Sequence, residues 1–229
     1  MKDLDPLHYF LGIQISPTAE GLTLSQTKYT LDILERDKMH DCKPMGTLMM
    51  PRTKGLTSQI PFSDPAHYRS IVGALQYLIL THLDLSYSVN FVSQFMHSPT
   101  EANYKMVKCI LRYLKGTVDL GLHFSSHSTL DLYAFSDADW AGCPTTRRST
   151  TGYCVFFGSN CISWSAKKQH TVSRSSSEAE YRAMAHTTAE LTWISFLLRD
   201  LGIHLTSMPL LLCDNISALY MTVNPVFHA

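Results

Sequence analysis

Three carboxylates stand at positions where an α/β protein could use them for chemistry. Asp137 follows a predicted strand at residues 130–136, and Asp214 follows another at 210–213. Ligands of open α/β sheets gather outside the carboxyl ends of strands, so acids placed there are candidates for metal or substrate binding. A single aspartate is more often a turn residue or a helix N-cap. Because Asp214 directly precedes a predicted helix, that structural interpretation stays open for it.

Helical phase assigns a third carboxylate, Glu180, to the same region. Steps of three and four residues from Glu180 follow the apolar side of a predicted helix at 177–201, which should face the sheet. The residues on that side are Met184, Thr187, Leu191, Ile194, Leu198 and Leu201. The same steps from Glu178 follow a more polar side. Two capping boxes compete at the helix start, Ser175 with Glu178 and Ser177 with Glu180. The second box would give Glu180 an ordinary structural role.

Together, the three carboxylates predict a metal centre. Three inward acids at close quarters cannot all stay ionised unless cations neutralise them. Oxygen ligands favour Mg²⁺ or Mn²⁺ over zinc. Two such ions about 3.5–4 Å apart promote phosphodiester hydrolysis by activating a water and stabilising the leaving oxygen. The predicted substrate of Asp137, Glu180 and Asp214 is therefore a polyanion.

Basic side chains on either side of the acids suit such a substrate. Between Trp140 and Ser175 the sequence has no acid and these basic residues: Arg147, Arg148, Lys167, Lys168 and Arg174. Upstream, a helical segment spaces cations by three and four residues: Lys105, Lys108, Arg112 and Lys115. Such a stripe is more commonly a solvated face, and phosphate contact is the sharper interpretation. Tyr153 and Trp164 are more often core residues than stacking platforms for a base.

The elements that must position these residues form two blocks. Helical periodicity is visible at 26–34 and 64–114, strand signals at 7–15 and 21–24, and a Pro- and Gly-rich linker at 43–65. Further on, the predicted order is three strands at 130–136, 152–157 and 161–165, the helix at 177–201, a buried strand at 210–213 and a helix at 216–223. That order predicts a mixed α/β sheet.

Composition excludes several other classes of protein. The 229-residue chain is 45% apolar and 17% charged with a net charge of +0, which excludes a disordered or globally basic chain. It has no apolar run of the roughly 20 residues that span a bilayer, and residues 1–6 lack a signal-peptide pattern. An intracellular protein with no membrane partner is expected. The 6 cysteines include no Cys-x-x-Cys and are predicted to be reduced, mostly buried thiols.

A series of sequence blocks resembles copia-type retrotransposon polyproteins over essentially the whole chain. Those resembling the family's RNase H domain are Ser-Asp-Ala-Asp-Trp-Ala-Gly at 136–142, Arg-Ser-Thr-Thr-Gly-Tyr at 148–153, Ile-Ser-Trp-Ser-Ala-Lys-Lys-Gln at 162–169, Ser-Ser-Glu-Ala-Glu-Tyr at 176–181 and Leu-Cys-Asp-Asn at 212–215. Upstream, Tyr-Phe-Leu-Gly-Ile at 9–13, Leu-Ser-Gln-Thr-Lys-Tyr at 24–29 and Leu-Arg-Tyr-Leu-Lys-Gly-Thr at 111–117 resemble its reverse transcriptase.

The resemblance implies a domain organisation. Residues 1–60 correspond to the end of the reverse-transcriptase palm with its primer grip, and 61–125 to the helical thumb or connection, an α+β remnant. Residues 126–229 correspond to an RNase H-like domain with a mixed α/β sheet. Family enzymes use four carboxylates and two Mg²⁺ ions, with Mn²⁺ as a substitute, to cut the RNA strand of RNA–DNA hybrids. Asp137, Glu180 and Asp214 match three of them.

The same resemblance limits what is expected of this chain. The fourth aspartate of the family follows a Lys-His block beyond the 224–229 segment, so the domain is expected to be truncated at its C-terminus. The family's polymerase motif, Tyr-x-Asp-Asp, lies upstream of residues 1–4, so the missing fingers and palm are expected partners. The alternative to an active ribonuclease H is an inactive remnant that at most binds nucleic acid. The family is cytoplasmic, and an organelle or the nucleus stays open.

Overall fold

The chain divides after His123 into two units, each with its own sheet. The computed structural model describes residues 8–49 and 59–224. Predictions that concern residues 1–7, 50–58 and 225–229 lie outside the described residues, including part of the predicted linker at 43–65. Mixed α/β architecture is confirmed.

The N-terminal unit carries a sheet of order β1-β2-β3-β4. Its strands are β1 (Tyr9–Phe10), β2 (Ile13–Thr18), β3 (Gly21–Ser25) and β4 (Gly121–Ser125), and the last two residues of β4 lie beyond the division after His123. The β-rich segment at 7–15 is two strands and not one, because Leu11 and Gly12 both adopt positive φ values, 47° and 74°, and turn the chain back on itself.

Helices form the core of the N-terminal unit. They are α1 (Thr27–Arg36), α2 (Pro65–Leu78), α3 (Ser86–Ser93) and α4 (Glu101–Gly116), with a 3-10 helix at Leu83–Leu85. The Asp64 side chain caps α2 by accepting from the His67 backbone N–H at 2.9 Å, and proline occupies the first helical position. Apolar side chains spaced three and four residues apart bury one face of each helix; on α2 they include Ile71, Leu75 and Leu78.

The C-terminal unit carries a mixed sheet of order β7-β6-β5-β8. Its strands are β5 (Leu132–Asp139), β6 (Thr150–Phe157), β7 (Asn160–Lys168) and β8 (Leu210–Leu212). Strands β5, β6 and β7 form an antiparallel meander, whereas β8 pairs parallel to β5 from Tyr133↔Leu210 to Phe135↔Leu212. A parallel neighbour requires a long crossover, which the helix between β7 and β8 supplies.

That crossover helix, α5 (Ser176–Asp200), covers one face of the sheet. The last helix, α6 (Ile216–Val223), packs against α5. Leu191, Ile194 and Leu198 of α5 form a buried cluster with side chains of β5 and β6. Nearer its start, Ala179 and Ala183 pack on Ala138, and these small side chains allow close approach of helix and strand. Within residues 8–49 and 59–224, no helix has the length and hydropathy needed to cross a bilayer.

Two strand predictions are corrected by the pairing. Strand β5 does not end at residue 136, since it stays paired with β6 through Asp139↔Thr150, so Asp137 lies inside the strand. The strand predicted at 210–213 as continuously buried is an edge strand of the described sheet, with Leu210 55% and Leu212 38% exposed. Only one face of β8 meets the core, because α5 covers one side of the sheet.

Candidate metal centre

The three predicted carboxylates come together at one end of the C-terminal sheet. Asp137 lies on β5 two residues beyond Phe135, where the pairing with β8 stops. Asp214 follows β8 after one intervening residue, and Glu180 is on the first turns of α5. Asp137 is within hydrogen-bond reach of Glu180, and Asp214 is close enough to act on it electrostatically. The structure therefore joins two strands and a helix at one acidic site.

Glu180 is the buried member of this site, with 6% of its surface exposed. The backbone N–H of Ala138 donates to its carboxylate, but among the described residues nothing donates to its Oε2 atom. Burial raises the pKa of Glu180, and the negative charges of Asp137 and Asp214 raise it further, whereas the Ala138 N–H opposes the shift. A buried carboxylate oxygen without a donor is costly unless a proton or a cation meets it.

The capping alternative for Glu180 is wrong. The N-cap of α5 is Ser175, whose Oγ accepts from the Glu178 backbone N–H at 3.1 Å. Glu178 in turn accepts from the Arg174 backbone N–H at 2.7 Å and pairs with Arg182 at 2.6 Å. Because Ser177 lies inside the helix, its box with Glu180 does not form, and Glu180 is left to face the sheet.

The capping alternative for Asp214 is also wrong. The N-cap of α6 is Asn215, whose side-chain oxygen accepts from the Ala218 backbone N–H at 2.9 Å. Asp214 is an exposed residue between β8 and that cap. Its carboxylate is positioned by the end of the strand and not by the helix it precedes.

Sequence reasoning missed a fourth donor, Cys213. One ligand atom each from Glu180, Cys213 and Asp214 lie within 4.8 Å of one another. Cys213 is half-buried, and its sulfur accepts from the Asn215 backbone N–H at 3.4 Å. The available signal was its position between the last residue of β8 and Asp214, but a lone cysteine at a strand end is usually a small apolar residue.

This donor set fits a divalent cation. Glu180 and Asp214 supply the oxygen ligands that Mg²⁺ and Mn²⁺ prefer, Asp137 adjoins them, and the Glu180 Oε2 atom is the buried polar group that a cation would satisfy. Because Asp137 and Asp214 are exposed, a cation held by these residues would be open to solvent.

The predicted cations of the N-terminal unit lie on α4 with different surroundings. Lys105 and Lys108 are exposed, and the Lys108 ammonium lies 4.8 Å from the centroid of the Tyr104 ring. Arg112 and Lys115 are half-buried, and Arg112 Nε donates to the Lys43 carbonyl at 2.8 Å. Arg112 therefore has a structural task that the helical spacing did not reveal.

The predicted cations of the C-terminal unit flank its sheet. Arg147 and Arg148 lie in the connection between β5 and β6, and Arg174 immediately precedes the Ser175 cap of α5. Lys167 and Lys168 end β7, and Lys168 Nζ lies 3.2 Å from the Cys143 sulfur. Each is on the same unit as the acidic site.

A separate cavity of about 300 Å³ opens between β6, β7 and α5. Its lining includes Lys167, Lys168, His186, Glu190 and Tyr153. Burial raises the pKa of Tyr153, as does the charge of Glu190, and the Ser163 and Ser165 hydroxyls oppose the shift. Tyr153 also packs against the core, so it lies both at the edge of the core and in the cavity wall. Trp164 is half-buried.

Curated proteins resemble the chain strongly. It is 58% identical over 195 residues to an uncharacterized mitochondrial protein of Arabidopsis thaliana, covering 85% of the chain and 81% of that protein. It is 51% identical over 230 residues to the retrovirus-related Pol polyprotein of transposon RE1, also from Arabidopsis thaliana, and that alignment covers 100% of the chain. The chain belongs to the copia-type retrotransposon Pol polyproteins.

Its similarity extends to a second plant genus within this family. The chain is 37% identical over 245 residues to the Pol polyprotein of transposon TNT 1-94 from Nicotiana tabacum. It spans 16% of the length of the RE1 polyprotein and 18% of the TNT 1-94 polyprotein. No family model and no solved structure matches the chain.

Proposed function

We propose that this Pol polyprotein segment is a ribonuclease H that hydrolyses the RNA strand of RNA–DNA hybrids through a two-metal centre at Asp137, Glu180 and Asp214. The observation that carries the proposal is the Glu180 carboxylate, buried beside two further acids with its Oε2 atom lacking a donor among the described residues. Three acids so placed favour cations at the site.

Element order supports an RNase H-like fold for residues 126–229. A meander of three antiparallel strands, a long covering helix and a strand parallel to the first are compatible with that mixed α/β sheet. Residues 1–60 are proposed to be the palm end with the primer grip, and 61–125 the thumb or connection.

Each carboxylate has a distinct proposed task at the centre. Two Mg²⁺ ions, or Mn²⁺ in their place, supply the positive charge that promotes attack of water on the phosphodiester and stabilises the leaving oxygen. Asp137 would hold the ions from a strand that stays paired with β6 on both sides of it, which fixes the position of its carboxylate. Glu180 offers Oε2 from α5, and Asp214 offers a carboxylate from the end of β8.

Cationic side chains are proposed to hold the phosphates of the hybrid. On α4 they are Lys105, Lys108, Arg112 and Lys115; in the C-terminal unit they are Arg147, Arg148, Lys167, Lys168 and Arg174. Their contacts position the duplex without reading its sequence, so binding should weaken as salt rises. The proposed partners are the hybrid and the reverse-transcriptase fingers and palm, in an intracellular, cytoplasmic setting without a membrane.

Cleavage of a labelled hybrid tests the proposal. The purified chain is incubated with an RNA–DNA hybrid in Mg²⁺ and in Mn²⁺, and RNA products are resolved on a gel. Asp137→Asn should reduce cleavage at least about a hundredfold. Asp131→Asn is the matched control, because Asp131 is an exposed acid just before the same strand and should leave cleavage unchanged.

Two outcomes would overturn hydrolysis at this site. Cleavage that survives Asp137→Asn would place the activity elsewhere. Salt-sensitive binding of the hybrid without cleavage in either metal would identify the chain as the non-catalytic nucleic-acid-binding remnant.

A further inference from the structure

The Cys213 sulfur belongs to the acidic site by geometry. It lies within 4.8 Å of ligand oxygens of both Glu180 and Asp214, whereas Asp137 is not a member of this close group. Two features distinguish it from an ordinary core thiol. Cys213 is half-buried, unlike the buried Cys109 and Cys161, and the Asn215 backbone N–H holds its sulfur at 3.4 Å. A donor to the sulfur fixes its orientation.

The Glu180 carboxylate supplies an independent sign of a ligand at this group. It is buried, and its Oε2 atom has no hydrogen-bond donor among the described residues. An atom in that state is satisfied by a cation that its neighbours can also bind. The neighbours here are one carboxylate and one sulfur.

Sulfur changes which cation such a group prefers. Carboxylates alone suit Mg²⁺ and Mn²⁺, but thiolates favour softer ions, and zinc readily takes mixed sulfur and oxygen ligands. Three protein ligands leave a position open for water.

We propose that Cys213, Glu180 and Asp214 form a thiophilic cation site that binds Zn²⁺ or Cd²⁺ more tightly than Mg²⁺. Binding replaces the thiol proton, which passes to solvent as the metal–sulfur bond forms. The inference rests on the proposed function in one respect: it assigns these ions to the same centre, where they compete with Mg²⁺. An ion held by this group lacks the Asp137 ligand, so it occupies the centre without completing it and inhibits hydrolysis.

Cadmium provides a direct readout, because a cadmium–thiolate bond absorbs in the ultraviolet whereas cadmium–carboxylate binding does not. The reduced full chain is titrated with Cd²⁺, and the charge-transfer band is compared with that of Cys213→Ser. The serine variant keeps an oxygen at this position, so it should lose the high-affinity band and bind Cd²⁺ at least about tenfold more weakly. Cys154→Ser is the matched control, because Cys154 lies within hydrogen-bond reach of Cys161, on strands away from Cys213.

Glu180→Gln separates a composite site from an isolated reactive thiol. Cys213 is intact in that variant, yet the high-affinity band should weaken because an anionic ligand is lost. Circular dichroism verifies that each variant is folded. A high-affinity band unchanged in Cys213→Ser, or unchanged in folded Glu180→Gln, would overturn the proposal.

The hybrid-cleavage assay distinguishes this inference from the proposed function. If the chain cuts the hybrid but shows no Cys213-dependent band, the thiophilic site fails and the ribonuclease assignment stands. If the band appears and follows the expected variants but no hybrid is cut, the cation site stands and hydrolysis fails. In an active chain, Zn²⁺ should inhibit cleavage of the wild type more strongly than that of Cys213→Ser.

Discussion

The carboxylates of Glu180 and Asp137 lie within hydrogen-bond reach of each other, one from the covering helix α5 and one from the inner strand β5. Two carboxylates at that separation share a proton or a cation, because both cannot be ionised without strong repulsion. The folded protein therefore accommodates a destabilising charge in order to hold this pair.

Replacing that charge should stabilise the metal-free protein. The pKa of Glu180 is raised above its ordinary value of 4.5 by burial and by the neighbouring acids, so the folded state loses stability as the pH rises through the raised pKa. Glu180→Gln should therefore increase the free energy of unfolding at pH 8 by about 0.5–2 kcal/mol, and by less at pH 5. Denaturant unfolding of the wild type and of Glu180→Gln in a chelator, at pH 8 and at pH 5, measures these differences.

Glu178 provides an opposite-signed control on the same helix. A hydrogen bond from the Arg174 backbone N–H lowers the pKa of Glu178, with Arg182 contributing. Ionised Glu178 therefore stabilises the fold above its unfolded pKa, and this contribution is lost as the pH falls through the folded value. Glu178→Gln should reduce stability at pH 8 and matter little in acid. Matching pH trends for the two variants would contradict the assignment of charges.

Cys143 should be unusually reactive near neutral pH. Burial acts to raise its pKa but is outweighed by hydrogen bonds from Thr146, Lys168 and Thr145, and the pKa falls to about 7. Alkylation of Cys143, followed by peptide mass spectrometry, should reach half its maximal rate near that pH. Lys168→Met should move the midpoint upward, and Lys167→Met should not. The ordinary pKa of a cysteine thiol is 9.0, and a midpoint above that value in the wild type would refute the prediction.

Gly142 should not tolerate a side chain. A Cβ at this position would collide with the Asp139 carboxylate, which is itself held by the Thr150 backbone N–H. Gly142→Ala should lower the free energy of unfolding by about 1–3 kcal/mol. Gly73 is the matched control, since it lies inside α2 with open space at its Cβ, and Gly73→Ala should stabilise by about 0.5–1 kcal/mol. If both substitutions changed the free energy of unfolding by the same amount, the Asp139 side chain would have moved away from the new Cβ and the prediction would be wrong.

Replacing different cations of α4 should have different effects on hybrid binding and on stability. Lys105 and Lys108 are exposed, so replacing either by alanine should weaken hybrid binding and reduce the slope of log affinity against log salt by about 1. Arg112→Ala should also reduce stability, because Arg112 Nε holds the Lys43 carbonyl. Binding isotherms at several salt concentrations, with unfolding curves beside them, separate the two effects. An unchanged salt slope in Lys105→Ala would assign Lys105 to a solvated face.

Helical phase was the most informative sequence signal. It predicted that Met184, Thr187 and Leu191 would share the buried side of α5 with Glu180, and all of them are buried. Leu201, predicted on the same side, is 67% exposed because the helix ends at Asp200 and the chain turns away at Gly202. Helical spacing predicts burial correctly along the part of α5 that packs on the sheet. It fails at Leu201, where the helix has ended.

What local pattern could not supply was the identity of each strand's neighbours. Asp137 was predicted to end its strand, but β6 extends the pairing to Asp139. An apolar run at 210–213 cannot reveal that β8 is an edge strand of the described sheet. The proximity of Cys213 to Glu180 depends on how the chain leaves that edge. Contacts between residues distant in the sequence determine which metal-ligand side chains come together. Sequence spacing only identifies candidates.

Strand β8 has a consequence for the order in which the C-terminal unit assembles. The meander of β5, β6 and β7 closes through the connections at 140–149 and 158–159, but pairing Tyr133 with Leu210 closes a much longer loop and costs more chain entropy. With three residues, two of them exposed, β8 contributes little local stability of its own. We therefore expect β8 to dock late in folding and to open early. Until β8 docks, Asp214 is not held beside Glu180 and Asp137, so the acidic site is incomplete.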